Sequence, residues 1–172
     1  MNARALIVID LQNDYFSNGK FPLWNSEETL KSIEEAIGKA KSQDIPVILV
    51  QHLADSRLGL APFFNEGTVG SEIHSRILAA APNAPIVIKA FADSFHQTNL
   101  EETLQGLGVS ELLVCGMMTQ NCVTHTAISK VAEKYRVSIL SDCCTTVDAM
   151  LHNIALNAVS IRVPVVLSSD AL

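Results

Sequence analysis

Ala5-Leu6-Ile7-Val8-Ile9-Asp10 sets five apolar residues in a row against a carboxylate. No polar residue alternates within the run, which is how a strand buried on both faces of a parallel sheet reads. Comparable runs rich in Val and Ile recur at Ile45 to Val50, Ile86 to Ile88, Leu112 to Cys115, Val137 to Leu140 and Val163 to Leu167. Helical stretches separate them. After Ser26, Glu27 and Glu28 sit in a first turn, and Leu30, Ile33, Ile37 and Ala40 follow at helical spacing, predicting a helix from Glu27 to Ser42. Weaker patterns predict helices over Ser71 to Ala80, Thr98 to Gly106, Gln120 to Lys134 and Ala149 to Val159, with Gly106 and Gly108 as stops. Strand, helix, strand in repetition is the signature of a doubly wound α/β sheet with right-handed crossovers.

The 172 residues fit one domain, 1–172, with no linker or repeat to divide them. Apolar residues make up 48% and charged residues 17%, which excludes a disordered chain. That thin charge also predicts surface buried against further copies, a homo-oligomer of at least two chains. Twelve basic and 18 acidic residues leave a net charge of −6 without a basic stripe, so nucleic acid is not an expected partner. No run approaches the ~20 apolar residues of a membrane helix, and no segment reads as a signal peptide. The four cysteines, Cys115, Cys122, Cys143 and Cys144, form neither a C-x-x-C pair nor a disulfide framework, so a reducing cytoplasm is the expected setting.

Three irregular stretches follow strands: Gln12 to Asn25, His52 to Gly70 and Ala90 to Gln97. In open α/β sheets ligands bind beyond the carboxyl ends of the strands, so these loops should frame a site. Asp10 ends the first strand, Lys89 ends the third, and Cys122 lies just past the fourth. Singly, each has an ordinary reading: a loop carboxylate, a solvated lysine, a small buried hydrophobe. Cys122 differs, because Thr119 is a credible N-cap that would put it in a first helical turn, where free N–H groups favour a thiolate. A lysine nearby would lower its pKa further, and a carboxylate could take its proton. Backbone N–H groups of Met118 and Cys122 would then receive an oxyanion. No G-x-G-x-x-G follows the first strand, so a dinucleotide site is not expected.

Taken together, the run from Ala5 through Asp10-Leu11-Gln12-Asn13-Asp14-Tyr15, the Lys89 strand end and Cys115-Gly116-Met117-Met118-Thr119-Gln120-Asn121-Cys122-Val123 resemble the isochorismatase-like cysteine hydrolases, and most closely their metal-free, streptothricin-hydrolase-like amidases. The resemblance spans the chain. It implies a three-layer fold with six parallel strands in the order 3-2-1-4-5-6, a triad of Asp10, Lys89 and Cys122, a cis peptide between Met117 and Met118, and a structural role for Asp142. Strand three would then lie about 10 Å from strand one at ~4.8 Å per strand, so Lys89 must lean inward.

Nicotinamidases of this group bind zinc through an Asp-x-His at the end of strand two. The aligned Gln51-His52-Leu53-Ala54 keeps no carboxylate and puts Ala54 where the second ligand belongs, so no metal and no cofactor are expected. His52, His74 and His96 read as loop or rim residues. Phe16, Trp24, Phe91, Phe95 and Gln120, with Phe63 and Phe64, are candidates for the rim of a pocket holding a small-molecule substrate. The resulting expectation is metal-independent cleavage of a C–N bond in a small amide, lactam or carbamoyl compound through a thioester on Cys122. The alternatives are vinyl-ether hydrolysis driven by Asp10, with Cys122 a bystander, and a scaffold that keeps the triad without turnover.

Overall fold

In the computed structural model, which describes Arg4 to Leu172, six parallel strands form one sheet in the order β3-β2-β1-β4-β5-β6. Residues 1–3, the start of the expected 1–172 domain, lie outside the described residues. The strands are β1 (Arg4–Ile9), β2 (Val47–His52), β3 (Ile86–Lys89), β4 (Glu111–Met117), β5 (Arg136–Thr145) and β6 (Val165–Val166). Helices α1 (Ser26–Ser42), α2 (Ser75–Ala80), α3 (Leu100–Gly106), α4 (Thr124–Ala127), α5 (Ala149–Val159) and α6 (Ser168–Ala171) connect or follow them. Every residue of β1 from Ala5 to Ile9 is buried. Because successive strand residues point to opposite faces, that pattern requires cover on both sides of the sheet.

Several boundaries depart from the expected ones, each for a local reason. β2 begins after Pro46, which lacks an N–H for the ladder and instead accepts from Leu6 N, and it runs on to His52. β3 is an edge strand with one face bare: Ile86 and Ile88 are 45% and 55% exposed, whereas Val87 and Lys89 are buried. Expected burial on both faces therefore fails there. Helix α2 starts late, at Ser75, because Val69–Ser71 forms a 3-10 turn and Ile73 bridges Gln12 in antiparallel fashion. The helix expected over Gln120 to Lys134 is broken into a π-helical turn (Thr119–Val123), short α4 and a 3-10 turn (Ala132–Lys134). Side chains there bond outward: Thr126 Oγ1 donates to Ser94 Oγ, and Ser129 Oγ to Asp93 Oδ2. Such polar groups compete with a continuous helix. Asp142 takes a structural part, its carboxylate accepting from the N–H and hydroxyl of Ser168 at the start of α6.

Gly116 of β4 stands opposite Ile9 of β1. A Cβ there would lie 2.1 Å from the Ile9 carbonyl oxygen, and φ is +123°. Gly116→Ala is expected to destabilise the fold by about 3 kcal/mol, the upper end for overpacking. Thermal unfolding should then fall by roughly 6–12 °C. An unchanged midpoint would mean that β4 can back away at no cost.

Candidate active site

Asp10, Lys89 and Cys122 come from three separate places and meet at the carboxyl edge of the sheet. Asp10 ends β1 with φ at +55°, a left-handed conformation that turns the chain sharply; Gln12 N donates to its carbonyl and Asp10 N donates to Val50 O. Non-glycine residues held there cluster at functional sites. Cys122 lies inside the π turn, a feature frequent at such sites. The cap position of that turn is held by Met118, not by the expected Thr119. Thr119 is buried within the turn, and its hydroxyl is 2.9 Å from His152 Nδ1 on α5. The Met117–Met118 peptide is cis.

Lys89 reaches the site by leaning across β2. Its strand neighbour in register is His52, and its side chain passes that residue to Asp10. The ammonium Nζ donates to Asp10 Oδ2 at 2.9 Å and to Cys122 Sγ at 3.2 Å, and lies 2.9 Å from His52 Nδ1. Three donors thus meet three partners. Asp10 is wholly buried, and Lys89 and Cys122 are each 2% exposed. Asp10 Oδ1 is buried with no hydrogen-bond partner.

Charge in this closed space follows from burial. Burial pushes the Cys122 thiol up, Asp10 pushes it further, and the Lys89 ammonium offsets only part of the rise. A depressed thiol pKa was the expectation from a helix terminus and a lysine; desolvation with a carboxylate alongside overturns it. The Lys89–Asp10 ion pair thus stands beside a thiol whose ionisation burial opposes. Burial works against the charge on Lys89, yet Asp10 and Cys122 outweigh it and hold its pKa above the ordinary value. Burial lowers His52, as does Lys89, with Asp10 opposing.

His52 was expected on a loop or rim, and it is instead the last residue of β2. The signal was faint: β2 had to be extended two residues past Val50 for His52 to face Lys89. Gln12 fixes it, accepting from His52 N and donating to His52 O, each at 2.8 Å, with a third bond to Ser71 O. Asp14 is also buried and accepts from Lys20 N and Phe64 N, tying two loops together. Both residues lie in the stretch after Asp10, whose polar side chains serve the loops.

The aromatic candidates divide. Tyr15 and Phe64 pack edge to face at 4.6 Å with Phe63 and Phe21 beside them, and the Phe64 ring is 5.9 Å from His52. Burial chiefly, and the nearby Asp10, Cys122 and Asp14 next, raise the pKa of Tyr15. Phe16 is buried against His74. Phe95 stacks on Tyr135, which lies before β5, and serves packing there. Trp24 is 42% exposed beside His152. Phe91, facing the His96 ring, lines a groove of about 340 Å³ with Ala54, Arg57 and Gln97; that groove also meets Lys89, whose side chain is fully covered. Gln120 borders a separate dent of about 300 Å³ between α4 and α5.

A nicotinamidase-like zinc ion does not fit these residues. Ala54 offers no ligand, and Gln51 Nε2 donates to Ser71 O. Ligand atoms of Asp10, His52 and Cys122 lie within 4.8 Å of one another, but the Lys89 ammonium bonds to all three. A divalent cation there would stand against a positive charge that already fills the role.

The Isochorismatase domain family matches residues 4–171. The isochorismatase family protein YddQ of Bacillus subtilis is 36% identical over 149 residues, 87% of this chain and 81% of that protein. Nicotinamidase 3 of Arabidopsis thaliana is 30% identical over 161 residues, 88% of this chain and 78% of the other. Streptothricin hydrolase of Streptomyces noursei is 29% identical over 168 residues, 98% of this chain and 63% of that enzyme. Among solved structures, an isochorismatase-like hydrolase from Alkaliphilus metalliredigens shares the fold with a TM-score of 0.90 at 24% identity, covering 99% of this chain and 96% of that one. With the domain matched almost end to end, this chain belongs to the isochorismatase family of hydrolases.

Proposed function

We propose that this hydrolase cleaves the C–N bond of a small amide, lactam or carbamoyl compound through a thioester on Cys122, without a metal. The observation that carries the reading is the Lys89 ammonium bonded at once to Asp10 Oδ2 and Cys122 Sγ in a fully buried site. Asp10 Oδ1, buried and without a partner, is the acceptor for the thiol proton. As that proton leaves, sulfur attacks the carbonyl carbon, and the negative charge moves from Asp10 toward sulfur and the carbonyl oxygen while Lys89 stays paired. The net charge of the buried group is unchanged, so no isolated ion is created in low dielectric. N–H groups of Met118 and Cys122 receive the oxyanion. The C–N bond then breaks, with Asp10 returning its proton to the departing amine. Water, deprotonated by Asp10, hydrolyses the thioester and restores the thiol.

Nicotinamidase among the relatives supports amide cleavage. Ether hydrolysis driven by Asp10 alone gives the bond between Lys89 and sulfur no purpose. The test is a panel of small amides and carbamoyl compounds scored by ammonia release, with and without chelator. Activity is expected on at least one, unaffected by chelator and lost after iodoacetamide. Peptide mapping after brief alkylation should place the label on Cys122. Cys115, Cys143 and Cys144 are buried as well, but among the described cysteines Cys122 alone has a lysine ammonium within hydrogen-bond reach of its sulfur. Ammonia release that survives complete alkylation would mean that Cys122 is not the nucleophile.

A further inference from the structure

We propose that His52 is a positioning residue for the Cys122 reaction: as the neutral Nε2–H tautomer it accepts the third proton of the Lys89 ammonium, and protonating it dismantles the site. The inference rests on reading Cys122 as the nucleophile.

An ammonium has three protons and no acceptor capacity, so burying it requires three acceptors. Asp10 Oδ2 and Cys122 Sγ supply two, and His52 Nδ1, at 2.9 Å, supplies the third. Only an unprotonated Nδ1 can accept, which assigns the ring proton to Nε2. The placement follows from the sheet: His52 and Lys89 are partners in the β2–β3 register, and Gln12 clamps the backbone of His52 on both sides. His52 therefore lies beside the path by which Lys89 of β3 reaches Asp10. Without that acceptor the ammonium would keep one bare proton, and its preferred orientation between Asp10 and Cys122 would be lost.

The titratable groups facing the ring are Lys89 from β3, Asp10 from the end of β1 and Cys122 from the π turn; the Phe64 ring on its loop side carries none. Protonating the imidazole would set two cations 2.9 Å apart. Burial and Lys89 both oppose that step, so the neutral form holds to lower pH than in a free histidine. As pH falls through the shifted value, activity should drop.

Imidazole ¹⁵N NMR of the whole chain reads this without any substrate. His52 should appear as the Nε2–H tautomer with a midpoint below about 6.5, and Lys89→Met should move that midpoint upward. Two variants then separate accepting a proton from merely filling space. Asn Oδ1 can take the place of Nδ1 and does not titrate, whereas Leu accepts nothing. His52→Leu should lower kcat/KM by roughly 10–100-fold through kcat near pH 8, the scale for losing one hydrogen bond to a charged group. His52→Asn should retain most activity near pH 8 and keep it to lower pH than the wild type. An Nδ1–H tautomer, a midpoint unmoved in Lys89→Met, or equal kcat for the Asn and Leu variants at pH 8 would each overturn the proposal. Failure of the amidase reading shows differently, as a wild type that releases ammonia from nothing while the NMR result stands.

Discussion

Replacing Cys122 with alanine is expected to reduce amide hydrolysis by at least about 10⁴-fold, the scale at which a nucleophile's removal takes the whole catalytic unit with it. The fold should survive. Sulfur is one buried atom at the start of a short helical segment, and Lys89 keeps Asp10 and His52 as acceptors. Thermal unfolding is expected within about 1–2 kcal/mol of the wild type. Ammonia release beside a melting curve decides the matter: a folded alanine variant with substantial turnover would mean that sulfur is not the nucleophile.

Asp10→Asn is the second large effect, and it should move two readings in opposite directions. Loss of the base is expected to lower kcat/KM by roughly 10²–10⁴-fold. The same change removes a negative charge that raises the Cys122 thiol. Lys89 then has sulfur as its remaining candidate counter-ion, so the thiol pKa should fall and alkylation at neutral pH should become faster. A more reactive thiol with slower turnover is what a proton acceptor predicts. Parallel loss of both would reduce Asp10 to a structural partner. Breaking a buried pair costs about 3–5 kcal/mol, so part of the lost stability should return as the thiolate takes over the pairing.

Much of this arrangement was legible beforehand because it is one-dimensional. A continuous apolar run that stops at a carboxylate marks both a buried strand and its catalytic edge, and Asp10, Lys89 and Cys122 each stand at or just past such an edge. Helix α1 was readable from Leu30, Ile33, Ile37 and Ala40, and all of these are buried. What escaped depends on neighbours distant in sequence. His52 could not be told from a loop residue, since its role exists only through the pairing of β2 with β3. Thr119 looked like a cap, but a histidine 33 residues further along claims its hydroxyl. The sign of the thiol shift was missed because local reasoning sees a helix terminus and a lysine but not the desolvation around them. Phe95 drew suspicion as a scarce aromatic beside the site, when its partner Tyr135 lies just before β5.

The short pairing of β3 with β2 has a consequence for quality control of the molecule itself. Four registered pairs, from Leu49 with Ile86 to His52 with Lys89, hold the edge strand in place. Side chains alternate faces along a strand, so a slip of one residue would carry the lysine to the opposite side of the sheet and bring Ile88 inward. Such a slipped chain would keep most of its strands and helices but have no ammonium between Asp10 and Cys122. Turnover in this enzyme is therefore a checksum on strand alignment, sensitive to an error that a measure of secondary-structure content would pass.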